Sequence, residues 1–401
     1  MARTPSLLRR LAQAVPVLLI LPAILVPAAL TVADRLAPAA WTDRFAMPAL
    51  VNYLPVPPTP VWSIESWRSG QFQKAATDWF ASVLVPRSLA VRATNQLYYA
   101  IFRKSYMYEK RIAIGRNETL YETYAIAAAC SPAKPHPAER FAGFVAKMAA
   151  LHARLAQENK LLLFMVTPNK AEMMPEFLPP SACKGAVGTG PDRVLLDQLL
   201  TQAGVPVIDA QEAVQAMKRQ DPLPPYPRGG THWSRLAASR VAETTIRTID
   251  QLAGQDFGGF EQGPVRWDQP PVKSDGDLAR LLNLWHPPLD YPTGTAELAC
   301  RPTPLGRDAG IIVVGDSFIE QLMDPILECG LFGRAEYYFY YDLFHSDLVT
   351  HETSHIDHTR YDWPALFGRT QVVLVELNDA YIPDSMRHLD RFLTDALAGA
   401  P

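Results

Sequence analysis

Hydrophobic residues in the middle of the chain follow two patterns in turn. In "PAERFAGFVAKMAALHARLAQENK" they recur every three or four residues, which predicts a helix with one buried face. The next stretch, "LLLFMV", is continuously apolar and ends in the polar residues "TPNK", so it predicts a buried strand that enters a loop. The apolar face of the helix consists of Phe141, Phe144, Val145, Met148, Leu151 and Leu155.

The same alternation continues towards the carboxyl terminus. Helical spacing recurs in "DRVLLDQLLTQAG" and "SRLAASRVAETTIRTIDQLAG", and apolar strands recur in "VPVID", "GIIVVGDSF" and "TQVVLVELND". Helices that alternate with uniformly apolar strands predict a three-layer α/β/α fold, with a parallel sheet covered on both faces. Ligands of such sheets bind beyond the carboxyl ends of the strands. The functional loops are therefore expected at "TPNK", after Asp209, at "GDSF" and at "ELND".

The amino terminus has a different character. Arg3, Arg9 and Arg10 precede an uncharged apolar stretch of roughly 20 residues, the length that crosses a bilayer. Positive residues before a span keep that end in the cytoplasm. We therefore predict a signal anchor over residues 1–34, with the rest of the chain on the other side of the membrane. A cleaved signal peptide that ends near Ala33 is the alternative.

Two further segments are predicted after the anchor. The proline-rich stretch "LPVPPTPVW" is typical of a stiff spacer, and it opens a spacer and helical lead-in over residues 35–112. Residues 113–401 form the predicted catalytic domain.

Charge and cysteine content narrow the possible functions. The net charge of −3 leaves no basic excess for a phosphate backbone, so nucleic acid is not an expected partner. The cysteines fit an exported, oxidising location and could form two disulfides in any of three pairings, or stay as buried thiols. Their spacings match no metal motif, and no cofactor or metal is predicted. The four are Cys130, Cys183, Cys300 and Cys329.

Ser317 is the candidate nucleophile. It follows the apolar strand "IIVV" through Gly315 and Asp316, and a helix is expected to begin just after it. A glycine permits the tight turn, and the start of a helix offers backbone N–H groups to a developing oxyanion. Serine also needs a base, and His232 in "RGGTHWSR" is the candidate. Helix capping by the serine and a packed histidine are the alternatives.

Other polar and aromatic residues are weaker candidates. Asn378, at the end of a strand, could donate to the oxyanion or form a turn. Lys170, Arg228 and Tyr341 are predicted to bind substrate, although a solvated loop and aromatic core packing are the alternatives.

The segment "HETSH" at 351–355 matches a zinc-protease pattern. The pattern requires a helix, and the surrounding residues favour an exposed loop instead.

Together these segments resemble a known family. "VVGDSF" resembles the nucleophile block of the SGNH hydrolases, "ELND" resembles their asparagine block, and "GTHWS" resembles the histidine block of the periplasmic alginate O-acetyltransferases. In those acetyltransferases the histidine precedes the serine, a circularly permuted order that this chain shares. "VPRSLAVRATNQLYYAIF", "IAIGRNETLYETYAI" and "TPNKAEMMPEFLPP" extend the likeness over most of the chain after the spacer.

The resemblance implies a function. Ser317 would carry an acetyl group, His232 would be the general base and acid, and Asn378 would be an oxyanion donor. The anchor over residues 1–34 would lie in a bacterial inner membrane, with the catalytic domain in the periplasm. A membrane-bound O-acyltransferase would supply acetyl groups for the hydroxyls of an exported polysaccharide. The alternatives are an acetyl esterase and a catalytically silent polysaccharide-binding scaffold.

One part of the family pattern is absent. The family has an aspartate two residues before the histidine, where this chain has Gly230. A histidine base needs a partner that fixes its tautomer. Asp209 from a neighbouring strand or a backbone carbonyl near Gly229 could take this role, or the site could be silent.

Overall fold

A seven-stranded mixed sheet forms the centre of the compact unit that comprises residues 108–279 with 288–401. The computed structural model describes residues 21–22, 25–27, 29–31, 50–51, 57–84, 87–106, 111–130, 135–183, 187–358, 361–384 and 386–399. The strands are β1 Ile112–Ile114, β2 Leu120–Glu122, β3 Leu161–Thr167, β4 Val207–Asp209, β5 Gly258–Asp268, β6 Thr293–Pro302, β7 Gly310–Gly315, β8 Arg334–Phe339, β9 Phe344–Asp347, β10 Thr353–His355 and β11 Val372–Asn378.

Helices surround the sheet and also make up the amino-terminal part of the described chain. They are α1 Ile64–Arg68, α2 Gln71–Val83, α3 Arg87–Phe102, α4 Thr123–Ala129, α5 Glu139–Gln157, α6 Lys170–Met173, α7 Pro191–Gln202, α8 Ala210–Gln220, α9 Arg235–Ala253, α10 Asp277–Leu281, α11 Pro304–Asp308, α12 Phe318–Glu328, α13 Trp363–Gly368 and α14 Met386–Gly399.

The order of the strands is β10-β9-β8-β7-β11-β3-β4. The five strands from β8 to β4 are parallel, as predicted. At the end of the sheet opposite β4, β9 runs antiparallel to β8 and β10 runs antiparallel to β9, which the sequence pattern did not predict. Only residues 340–343 separate β8 from β9, and a parallel connection needs a crossover of a dozen residues or more. The short turn therefore forces the chain to return beside β8.

Hydrophobic cores cover both faces of the sheet. Successive side chains of a strand point to opposite faces, so a continuous apolar strand supplies both cores. Helices α8, α9 and α12 pack on one face, and α5, α7, α13 and α14 pack on the other. The α/β/α layering is therefore confirmed. On β3, Leu161, Leu163 and Met165 belong to the first core, and Leu162, Phe164 and Val166 belong to the second.

The chain divides into two compact units. One comprises residues 1–107 with 280–287, and the other comprises 108–279 with 288–401 and contains the sheet. The second unit also contains the antiparallel hairpin β5–β6, which packs against α9. The boundaries predicted at residues 34 and 112 stay predictions.

Both disulfides that the cysteine count allows are formed. Cys130 pairs with Cys183, and Cys300 pairs with Cys329. The second disulfide joins the end of β6 to the residue that follows α12. The alternative of four free thiols is therefore wrong.

The predicted anchor over residues 1–34 lies largely outside the described residues. Within the described part of the chain, none of the helices combines the length and the apolar content needed to span a bilayer.

Candidate active site

The turn after β7 presents Ser317 at the carboxyl edge of the sheet. Ser317 is the residue that precedes α12, so its hydroxyl stands where the helix dipole favours negative charge. Gly315 is required here because a Cβ would lie 2.5 Å from Glu376 Oε2. The carboxylate of Asp316 accepts the N–H groups of Phe318 and Asn378, each at 2.9 Å. These bonds fix the turn that carries the serine.

Glu376 lies buried below this turn. Its two carboxyl oxygens accept hydrogen bonds from the Thr167 hydroxyl at 2.6 Å and from the Asp316 N–H at 3.0 Å. Burial raises the pKa of Glu376 well above its usual range, and the charge of Asp316 raises it further. Glu376 therefore joins the ends of β3, β7 and β11, and its raised pKa favours the neutral form, which adds no second negative charge beside Ser317.

His232 contacts Ser317 directly. Its Nε2 lies 2.7 Å from Ser317 Oγ, and its Nδ1 lies 2.7 Å from Asp277 Oδ2. An ionised carboxylate only accepts hydrogen bonds, so Nδ1 carries the hydrogen and Nε2 accepts the serine proton. The three side chains therefore have the connectivity of a Ser-His-Asp triad.

Asp277 is held in place as the acid of this triad. Its other oxygen, Oδ1, accepts the N–H groups of Thr231 at 2.9 Å and Leu278 at 2.6 Å. Asp277 begins α10, and it is 45 positions from His232. Asp277 is not recognisable from the sequence because it follows no predicted strand and lies in no motif. Its only signal is an aspartate at a helix start.

Gly230 explains why the acid comes from elsewhere. A Cβ at this position would lie 2.8 Å from Ser274 O and 2.8 Å from Pro227 Cγ. The segment that leads to Asp277 therefore occupies the space that a side chain at 230 would need. The partner of His232 Nδ1 is Asp277, and it is neither Asp209 nor a backbone carbonyl near Gly229, so both of those expectations are corrected.

Asp209 has other partners. Its Oδ1 accepts the N–H of Gln211 at 2.8 Å and also a hydrogen bond from Arg193. It caps α8 at the end of β4. The Asp209 carboxylate therefore caps the start of α8 and binds the buried guanidinium of Arg193.

Two opposing effects act on the pKa of His232. Burial lowers it, but the hydrogen bond and the charge of Asp277 raise it, and the net direction is upward from the usual value of 6.5. The Asp277 carboxylate thus favours the imidazolium, the form that the histidine takes after it has accepted the serine proton.

Lys170 holds the loop that carries His232. It is 3% exposed, and its Nζ donates to the carbonyls of Pro227 at 2.6 Å, Arg228 at 2.9 Å and Gly230 at 2.7 Å. Burial lowers its pKa to about 7, although Asp277 and Glu122 act in the opposite direction. The prediction that Lys170 binds substrate is corrected, because its amino group already donates hydrogen bonds to three carbonyls of the loop.

The Asn378 side chain also forms its hydrogen bonds within the protein. Its Nδ2 lies 3.1 Å from Thr167 O and 3.3 Å from Pro168 O, and its Oδ1 accepts the N–H of Ala380 at 3.1 Å. The side chain is buried and has no donor left for an oxyanion, so this prediction is corrected. Among the described residues, the N–H of Ser317 has no such partner and is the better donor.

The two other predicted substrate residues differ in their placement. Arg228 is half-buried, and its guanidinium donates to the carbonyls of Asn117 and Asp290 and stacks on Tyr291. Tyr341 is fully buried in a hydrophobic core, with its hydroxyl 2.9 Å from Asp395. Tyr341 therefore cannot meet a substrate, and core packing, the alternative, is confirmed.

Other tyrosines lie at the carboxyl edge of the sheet. Tyr340 follows β8 and Tyr381 follows β11, and their rings meet edge to face with centroids 6.1 Å apart. Tyr381 also stacks on Tyr124 at 4.7 Å. All three are half-buried, so they place aromatic surface on the same edge as Ser317.

The "HETSH" segment is not helical. Residues 353–355 form the edge strand β10, and residues 351–355 are exposed. Histidines at positions 351 and 355 of this segment therefore do not share one helical face, which the zinc-protease pattern requires.

The comparisons with known proteins bear on this site. The family described as "SGNH hydrolase-like domain, acetyltransferase AlgX" matches residues 114–318, which is just over half of the 401 residues. The chain belongs to this family. The matched range includes His232, Asp277 and Ser317, whereas Asn378 lies beyond it. Membership confirms the resemblance found in the sequence. Whether the order of the motifs arose by permutation stays a prediction.

Solved structures resemble the chain at low identity. The O-acetyltransferase domain of Pseudomonas putida AlgJ is 17% identical with a TM-score of 0.45, and the match covers 72% of this chain and 99% of that one. Pseudomonas aeruginosa AlgX is 14% identical with a TM-score of 0.42, covering 76% and 70%. Bacillus cereus PatB1 is 12% identical with a TM-score of 0.40, covering 66% and 95%. No curated protein matches the sequence.

Proposed function

We propose that the protein is an O-acetyltransferase that moves acetyl groups onto hydroxyls of an exported polysaccharide through an acetyl-serine intermediate. The observation that carries this proposal is the pair of 2.7 Å contacts from His232 to Ser317 and Asp277. The family's description, which names an acetyltransferase, supports the choice of acyl group.

The first half of the reaction loads the serine. Nε2 of His232 takes the hydroxyl proton of Ser317 while Oγ attacks the carbonyl carbon of an acetyl donor. The N–H of Ser317 and the start of α12 stabilise the oxyanion. The imidazolium then gives its proton to the leaving group, and acetyl-serine remains.

The second half transfers the acetyl group. A sugar hydroxyl gives its proton to Nε2 of His232 and attacks the acetyl carbonyl, and the Ser317 oxygen leaves and regains a proton. The half-buried tyrosines Tyr124, Tyr340 and Tyr381 offer aromatic faces on which a sugar ring can stack.

A hydrolytic reaction is the second candidate. Ser317 is only half-buried, so water can reach an acyl group on it. Attack by water in place of a sugar hydroxyl would make the protein an acetyl esterase. The hypothesis of a silent scaffold had rested on the absence of an acid at Gly230, and Asp277 removes that reason.

The cellular setting belongs to the same proposal. Arg3, Arg9 and Arg10 before an apolar stretch support an anchor in a bacterial inner membrane, with the catalytic unit in the periplasm. A membrane-bound O-acyltransferase would then supply the acetyl group. The two disulfides suit an oxidising compartment.

Turnover with and without an acceptor tests the function. The protein is incubated with 4-nitrophenyl acetate, alone and with an acceptor oligosaccharide. Acetylated sugar supports transfer, and free acetate alone supports the esterase. Ser317→Ala is expected to retain the fold and to lose the acetyl adduct seen by mass spectrometry. Ser354→Ala, an exposed serine on β10, is the matched control. An adduct that persists in Ser317→Ala contradicts the proposal.

A further inference from the structure

A cleft of about 500 Å³ lies alongside α12, in the unit that contains the triad. Its walls come from α9, β6, α12 and the turn between β9 and β10. Gln321 lines it four residues after Ser317 on α12, about 6 Å further along the helix axis at the usual helical rise. We call it the α12 cleft and define it by Arg235, Ser239, Leu298, Gln321, Pro325 and Phe332.

Polar side chains on the wall of the α12 cleft lack partners. Ser239 is 5% exposed and Gln321 is 7% exposed, and neither Ser239 Oγ nor Gln321 Oε1 has a hydrogen-bond partner within the described ranges. Pro325 has no N–H, so the Gln321 carbonyl also lacks the donor that a helix normally supplies. Buried polar groups are normally paired. Two helices thus place unpaired acceptors beside the same space.

The two basic side chains that line the α12 cleft, Arg235 and Lys273, each lie near a carboxylate. The Arg235 guanidinium lies 2.9 Å from Asp268, and Lys273 lies 3.5 Å from Asp324. Glu328 adds a further carboxylate to the wall. The carboxylates at or beside this wall, which are Asp268, Asp324 and Glu328, therefore outnumber the two cations, so a ligand carboxylate would meet net negative charge, and burying a charge without a partner is costly. The chemistry favours an uncharged ligand.

Apolar side chains form another part of the wall. Leu298, Phe332 and Pro325 line the cleft together with the polar side chains. A hexose ring has the same two characters, since its C–H faces pack on apolar and aromatic groups and its hydroxyls donate and accept hydrogen bonds.

We infer that the α12 cleft binds an uncharged sugar unit of the acceptor polysaccharide, adjacent to the unit that receives the acetyl group. The inference rests on the proposed function and adds the class of acceptor, a neutral polysaccharide in contrast to a polyuronate. Hydroxyls of the bound sugar donate to Ser239 Oγ and to the Gln321 carboxamide, and the ring packs on the apolar wall.

Calorimetric titration of the full chain tests this inference. The probes are a β-1,4-linked glucose hexamer and a galacturonate hexamer. The glucose hexamer is expected to bind at least about tenfold more tightly, because the uronate would bury unpaired charge. Ser239→Ala and Gln321→Leu are each expected to weaken its binding by about three- to tenfold, the effect of one lost hydrogen bond. Thr244→Ala, at an exposed position of α9, is the matched control and keeps the parent affinity.

Several outcomes separate the inference from the proposed function. Equal affinity of the parent and both variants for the glucose hexamer overturns the inference, and so does a uronate hexamer that binds as tightly. If the parent turns over 4-nitrophenyl acetate but binds no glucose hexamer, the inference is wrong and the proposed function is still supported. If the parent binds the glucose hexamer through Ser239 and Gln321 but turns over no ester, the result supports the sugar site and contradicts the proposed function. Thermal unfolding checks that each variant is folded.

Discussion

Asp277 Oδ2 lies 2.7 Å from His232 Nδ1, although the two residues are 45 positions apart in the sequence. The contact depends on the segment before α10, which packs against Gly230 so closely that no side chain fits there. His232 and its carboxylate partner therefore come from two different segments of the chain.

Replacement of the acid tests this arrangement. Asp277→Asn is expected to lower kcat by on the order of 10⁴, because the amide no longer fixes the imidazole tautomer or stabilises the imidazolium. The measurement is turnover of 4-nitrophenyl acetate. Asp308→Asn, at an exposed aspartate, is the control and keeps the parent rate.

Restoring an aspartate at the family position is not expected to rescue that loss. In the double variant Gly230→Asp/Asp277→Asn, the new Cβ would meet Ser274 O and Pro227 Cγ at 2.8 Å. We expect lower stability and no recovery of turnover. Recovery to within about tenfold of the parent rate would show that the site accepts the acid from either segment.

The pH dependence follows from the pKa of His232. Asp277 raises this pKa above 6.5, and only the neutral imidazole can take the serine proton. The ratio kcat/KM is therefore expected to rise with pH through an apparent pKa above 6.5, and to fall by about tenfold per pH unit below it. In Asp277→Asn the residual activity should titrate at a lower pH. A profile that does not shift contradicts the role of the carboxylate.

Asn378→Ala distinguishes a structural role from an oxyanion donor. An oxyanion donor would cost about 10²–10³ in kcat. The hydrogen bonds to Thr167, Pro168 and Ala380 predict instead a loss of about 1–3 kcal/mol of unfolding free energy, with kcat of the folded protein changed only a few-fold. Urea unfolding and ester turnover measure the two effects. Gln202→Ala, an exposed amide at the end of α7, is the control.

Lys170 predicts a pH dependence of stability. Its pKa is about 7 in the folded protein and 10.5 as a free side chain, so the unfolded chain binds more protons between these values. The contribution of Lys170 to stability therefore grows as the pH rises from about 7 towards 10.5, by up to about 1.4 kcal/mol per pH unit. The advantage of the parent over Lys170→Met in urea unfolding should be larger at pH 9 than at pH 7.

The control for this experiment is Lys74→Met, at a side chain that is 78% exposed. Its effect on unfolding should be nearly the same at both pH values. A difference between the parent and Lys170→Met that does not change with pH would contradict the lowered pKa.

The sequence predicted the parallel strands and the nucleophile turn well. Strands β3, β7 and β11 are continuous apolar runs because both of their faces are covered, and this pattern is visible without a structure. Strands β9 and β10 were missed because β10 is exposed and β9 is only partly buried, so neither has a strong apolar pattern.

The polar parts of the site were harder to predict. Ser317 and His232 stand in recognisable local contexts, and the structure brings them together. The roles of Lys170, Asn378 and Asp277 depend on long-range contacts that no local pattern encodes. Lys170, for example, follows a strand end as a binding residue would, yet the carbonyls it meets lie about 60 positions away.

The tight packing of Ser274 against Gly230 has a consequence for how related chains are sorted. A search that demands an acidic residue two places before the histidine would classify this protein as a degenerate, inactive relative. The distance of a carboxylate from the histidine Nδ1 in the folded structure is the better criterion. Natural selection acts on the position of that carboxylate in the fold, whichever segment of the chain carries it.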